Sequence, residues 1–248
     1  MKRRLFRLGT AAVLAVGVAV PLGAQPAQAV DPGTVVAVIE AAYSLYQKFA
    51  KSGGLTLDQA VAQIKTAIQN AQTNIINQID LVAVASVRAC AESAVINYAD
   101  IDRLSPDALQ TFAMDATACV TQAQSLIPAV TATPVAVDQA GFAMNTVGPL
   151  ALVARAKAGL GTSALASVLA GGNTSLLSAL LPTCHKEDLS GGERGVPHVY
   201  AWDCFAYNGD EGEVLIRGNP NAQAAAQNTA SRNTSRAVAL SVLPQLTS

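Results

Sequence analysis

Four cysteines punctuate the chain, Cys90, Cys119, Cys184 and Cys204, and each consecutive pair is centred on a turn-forming segment. The midpoint of the first pair falls at Leu104-Ser105, inside the breaker Asp-Ile-Asp-Arg-Leu-Ser-Pro at 100–106. The midpoint of the second falls at Arg194, inside the glycine-rich stretch 190–195. Four cysteines allow three pairings. If helices run antiparallel on either side of a turn, residues equidistant from it sit at one height, because each residue rises ~1.5 Å. The spacing therefore predicts Cys90–Cys119 and Cys184–Cys204, each contributing roughly 3 kcal/mol by loop-closure entropy. A metal reading of the second pair would use Cys184, His185, His198 and Cys204. Their spacing matches no zinc pattern, and thiols in an oxidising compartment pair with one another. No metal or other cofactor is expected.

The N-terminus points to that compartment. A basic segment (Lys2, Arg3, Arg4, Arg7) precedes an apolar run at 8–20, then small residues ending Ala27-Gln28-Ala29. This is the layout of a secretory signal peptide, with cleavage expected before Val30 by the general secretory rather than the twin-arginine route. Of the 16 Lys+Arg, four lie in the leader, leaving 12 against 17 Asp+Glu and a net charge of −5. A mildly acidic chain without a basic face is not expected to bind nucleic acid.

The remaining chain reads as mainly α with a small C-terminal β-meander, an α+β protein in three parts. A helical bundle is expected over 30–181, a disulfide-pinned β module over 182–218, and a tail or weak Ala-rich helix over 219–248. Val35, Ile39, Ala42, Tyr46 and Phe49 recur at helical spacing. Thr56-Leu57-Asp58-Gln59 is a capping box. Leu57, Val61, Ile64, Ile68, Ala71 and Ile75 then alternate steps of four and three, with a stutter at Ile79 and Val82. No Gly or Pro interrupts 57–99, which permits one helix of roughly 60 Å. Too few clean heptads are present for a coiled-coil dimer, so bundle packing is expected. Ser105-Pro106-Asp107 opens the next helix, which Pro128 ends. Further helical segments are expected near 134–158, 163–170 and 174–181, separated by glycines. The charge-free stretch 159–181 is long enough to span a bilayer. Its four glycines and polar residues favour burial inside the protein, so membrane contact is possible but secondary.

From 182 onward the residues turn β-prone, with strands expected near 198–207 and 213–217 and a turn between them. Serine-elbow, zinc-helix, Walker and dinucleotide motifs are all absent. His185 and His198 are the only imidazoles, with Ser163 or Ser190 as conceivable partners, and seven acids at 187–213 could supply carboxylate pairs. Nothing singles out a catalytic set, so the chain reads as non-enzymatic. Ten aromatics remain after the leader, and Tyr200, Trp202, Phe205 and Tyr207 fall within eight residues. Alternation puts Tyr200 and Trp202 on one face with Cys204, and Phe205 and Tyr207 on the other. One aromatic face left open would suit partner binding. The sequence thus points to a binding or adaptor protein whose partner is another secreted protein or subunit. A membrane-active helical protein is the alternative, and a secreted hydrolase the second.

Overall fold

The computed structural model describes residues 32–51, 53–190 and 197–247. The expected leader at 1–29 and the expected turn around Arg194 lie outside the described residues. Seven helices come first: α1 (Pro32–Ala50), α2 (Leu57–Asn70), α3 (Gln72–Asp80), α4 (Ala85–Tyr98), α5 (Pro106–Ala129), α6 (Pro134–Lys157) and α7 (Ser163–Ala179). Three antiparallel strands follow, β1 (Thr183–Asp188), β2 (Tyr200–Phe205) and β3 (Glu211–Leu215), in the order β1-β2-β3. Two helices close the chain, α8 (Ala222–Ala230) and α9 (Ser235–Thr247). The expected α+β class is observed: a helical bundle with a small disulfide-pinned meander.

Both predicted disulfides are present, with Cα atoms 5.6 Å apart for Cys90–Cys119 and 4.1 Å apart for Cys184–Cys204. The first is a rung between α4 and α5, which run antiparallel on either side of the turn at 101–103. Ser105 caps α5, its Oγ accepting from the Ala108 amide at 3.3 Å, with Pro106 at the first helical position. The capping box on α2 is complete: Thr56 Oγ1 accepts from the Gln59 amide and Gln59 Oε1 from the Thr56 amide.

Helix α6 is the axis of the bundle. Nearly every residue from Val137 to Ala154 is buried, and α1, α2, α3, α4, α5, α7 and α9 all pack against it. A helix without a polar face must be enclosed on every side. Its mid-helix amide, Asn145, is matched internally. Tyr43 Oη donates to Asn145 Oδ1 at 3.2 Å, and the Asn145 and Asn173 amides pair reciprocally at 2.9 and 3.1 Å.

This enclosure explains where the expected helices are redrawn. Instead of one 60 Å helix over 57–99 there are three, bent at Ala71 and broken at 81–84, where Val84 is extended. The longest helices of the bundle have 24 residues, about 36 Å. A 60 Å rod would leave half of its apolar seam in water, whereas three pieces wrap the same seam around α6. In α7 the reverse holds, because 163–179 is one helix through Gly171-Gly172-Asn173. Gly172 lies against Met144, and the Asn173 side chain is bonded to Asn145 and to the Leu169 carbonyl, so tertiary contacts override the breakers. Pro128 sits inside the last turn of α5 rather than ending it. Leu165, Leu169 and Leu176 of α7 enter the core. Among the described residues no helix is long and apolar enough to cross a membrane. Within 219–248, read as a tail or weak helix, α8 covers the sheet and α9 packs on α7 and α1.

The closeness of α6 to its neighbours rests on glycine. A Cβ at Gly148 would collide with the hydroxyl of the fully buried Tyr43 and with Leu169 Cδ2 at 2.8 Å, whereas one at Gly171 would meet nothing. Gly148→Ala should therefore cost about 1–3 kcal/mol by overpacking. Gly171→Ala, freed of glycine's helix penalty, should gain roughly 0.5–1 kcal/mol. Urea denaturation of both variants tests this, and equal effects would disprove the close-approach account.

Candidate functional site

The meander has one covered face and one open face. Alternation places Cys184, Trp202, Cys204, Gly212 and Val214 toward α8. The helix approaches so closely that a Cβ at Gly212 would strike the Ala226 carbonyl, which is why α8 is built from alanine. The other face carries Thr183, His185 and Glu187 from β1, Ala201, Asp203 and Phe205 from β2, and Glu211, Glu213 and Leu215 from β3. Opposite pairs in the register are His185 with Asp203, and Asp203 with Glu213.

At the centre of the open face lies Asp203, only 5% exposed. Its Oδ2 is 3.4 Å from His185 Nε2, while its Oδ1 is buried without a hydrogen-bond partner. The His185 ring stacks on Phe205, with centroids 5.7 Å apart and planes within 8°. Glu187 brings a carboxylate oxygen within 4.8 Å of the other two donor atoms.

The predicted aromatic cluster divides between the two faces and the following turn. Trp202 is half-buried toward α8. Tyr200 is also half-buried, stacked on His198 with centroids 5.8 Å apart and with Lys186 Nζ 4.0 Å over its ring. Phe205 is 39% exposed on the open face, as the alternation implied. Tyr207 lies beyond the strand, and its hydroxyl donates to Asp138 Oδ2 at 2.7 Å, tying the sheet to α6. The cysteines are consumed by disulfides, so the thiolate metal reading does not apply. Sequence reasoning missed the grouping of His185, Glu187 and Asp203. The signal was present: once Cys184 faces Cys204 in an antiparallel pair, His185 must face Asp203.

A second cluster closes the β1–β2 connection. Asp188 Oδ1 accepts from the Ser190 hydroxyl at 2.6 Å and the Ser190 amide at 3.0 Å, and Asp188 Oδ2 lies 2.5 Å from His198 Nδ1. The bonds from Ser190, then the His198 contact, hold the Asp188 carboxyl down at about 2. Ser190 Oγ is 3.3 Å from the same Nδ1. A nucleophile–base relay needs the serine on one ring nitrogen and the carboxylate on the other. Here both share Nδ1, so the trio is a turn-stabilising knot. Ser163 opens α7 in the bundle, whereas both histidines belong to the sheet module. A groove of about 600 Å³ between α4 and α5 is lined by Asn97, Phe112, Asp115 and the Cys90–Cys119 bridge.

No protein-family model, curated protein or solved structure matches this chain. The two disulfides indicate an oxidising compartment.

Asp138 fixes how the open face is carried. Its Oδ1 accepts from the Ser235 amide at the start of α9, at 2.6 Å, while Oδ2 takes the Tyr207 hydroxyl. Burial raises its carboxyl above the usual carboxylate range, opposed by the bonds from Tyr207 and Ser235. The folded protein therefore holds this proton more tightly than the unfolded chain. The associated stability is complete below the unfolded value of about 3.9 and is lost as pH rises through the folded value. Asp138→Asn does not titrate, so its melting temperature relative to the parent should shift in the variant's favour as pH rises above about 4. Parallel melting curves across that range would contradict it.

Proposed function

We propose that the protein is a secreted, non-enzymatic binding protein whose recognition surface is the open face of the C-terminal sheet. The observation that carries this reading is the asymmetry of the meander: α8 seals one face, and the other is left to solvent with Phe205 exposed at its end. The leader-like segment at 1–29 and the two disulfides support export. Glu211 stands opposite Phe205 and Glu213 beside it, Glu187 lies at the far end of the same face, and Leu215 is exposed at the edge, while Lys186 points to the opposite face. A surface of this kind suits a basic partner with an apolar contact point, another secreted protein or a subunit of an extracellular assembly. The scaffold suits the task, because the disulfide ties β1 to β2 and the Tyr207–Asp138 bond anchors the sheet to α6.

Capture of a partner from culture supernatant by the mature protein tests this reading. Phe205→Ala should lose at least ~2 kcal/mol of binding, about thirtyfold, without lowering the melting temperature. Glu211→Lys with Glu213→Lys should weaken the same interaction in a salt-dependent manner. Capture unaffected by these changes but abolished by Asn97→Arg in the α4–α5 groove would move the recognition surface there.

A further inference from the structure

We propose that His185, Glu187 and Asp203 form a binding site for a divalent transition-metal ion, with Zn²⁺ as the best match. The inference rests on their geometry and does not depend on the protein-partner reading.

Two observations point to an ion independently of the clustering. The first is the state of Asp203. Its side chain is 8% exposed, and a contact with His185 occupies only Oδ2. Oδ1 remains buried and unpaired, a costly condition for a carboxylate oxygen. An ion held on Oδ2 would neutralise this carboxylate and so offset the cost of burying it with Oδ1 unpaired. The second is spacing. Two donors about 2.1 Å from a tetrahedral zinc lie about 3.4 Å from each other. His185 Nε2 and Asp203 Oδ2 are 3.4 Å apart, so the edge of such a tetrahedron is already built. Glu187, exposed and within 4.8 Å of both, completes a third corner by moving about an ångström, within reach of a rotamer adjustment.

The fold preorganises the pair. Cys184–Cys204 locks the adjacent register position, and a slip of one residue would send His185 and Asp203 to opposite faces. Stacking on Phe205 holds the imidazole plane. Three ligands, one imidazole and two carboxylates, leave a fourth position toward solvent. The imidazole selects zinc or a neighbouring transition ion over Ca²⁺, which takes oxygen ligands.

Isothermal titration of tag-free, metal-stripped mature protein with ZnCl₂ decides the matter, with CaCl₂ as comparison. The expected result is one Zn²⁺ per chain, at least about tenfold weaker binding in both His185→Gln and Glu187→Gln, and no comparable Ca²⁺ binding. Glu187→Gln, at an exposed position, should leave the melting temperature of the metal-free protein unchanged. His198→Gln, in the neighbouring knot, should bind Zn²⁺ like the parent. Absence of saturable Zn²⁺ binding, binding that survives both substitutions, loss only in His198→Gln, or Ca²⁺ binding of equal strength would each overturn the site. Since none of these measurements involves a protein partner, a failure here leaves the recognition reading standing, and the converse also holds.

Discussion

Helix α6 has no side that water can touch without cost, and the bundle is the arrangement that hides it. Its buried run from Val137 to Ala154 forces seven other helices into contact with it, and that demand reaches into their sequences. Glycines at 141, 148 and 172 leave room for the side chains of Ser235, Tyr43 and Met144. Where a polar side chain falls on this axis it must carry its partner inside. Asn145 is matched by Tyr43 and Asn173, and Asp138 by the Ser235 amide and Tyr207. Because hydrogen-bonding groups are expensive to leave unpaired in an apolar interior, these contacts specify which faces of α1, α7 and α9 meet α6.

The Asp138 node also joins the two layers of the protein. Tyr207 comes from the turn after β2 and Ser235 from the start of α9, so a single carboxylate fastens sheet, central helix and C-terminal helix. Arg236, next along α9, spans α7 and α8 through the Leu177 carbonyl, Asn228 Oδ1 and Ser231 Oγ. Arg232 and Asn233 reach the Glu211 carbonyl and Asp210. The residues after 218 thus act as a clasp. The open face of the meander is held in place by the last helices of the chain, through these bonds and through the small core that Ala226 and Ala230 of α8 form with Cys204 and Ala206.

Features set by local chemistry or by spacing about a turn were legible in the sequence. The Thr56 and Ser105 caps, both disulfides, the meander and the placement of Phe205 opposite Trp202 follow from rules that act over a few residues or between symmetric positions. Features that depend on a distant partner were not. The heptad-like pattern at 57–99 reports which side of the chain is buried, but not the length of what it is buried against, so three helices read as one. The Gly171-Gly172 pair in α7 reads as a break because the Met144 side chain that packs against Gly172 lies elsewhere in the chain. Tyr207 read as a free aromatic because Asp138 is 69 residues away. The His185–Asp203 pair is the intermediate case, fully implied by the disulfide register and visible once that register is written out.

Each disulfide joins cysteines that are consecutive in the chain, with separations of 29 and 20 residues. In a chain that is oxidised as it emerges N-terminus first, Cys90 meets Cys119 before either later thiol is available. Cys184 then meets Cys204 after the first pair has closed. Both closures span short loops, which are the least costly to form in entropy. Order of appearance and loop entropy select the same pairs, so native connectivity is reached by simple oxidation without a round of thiol–disulfide exchange to correct it.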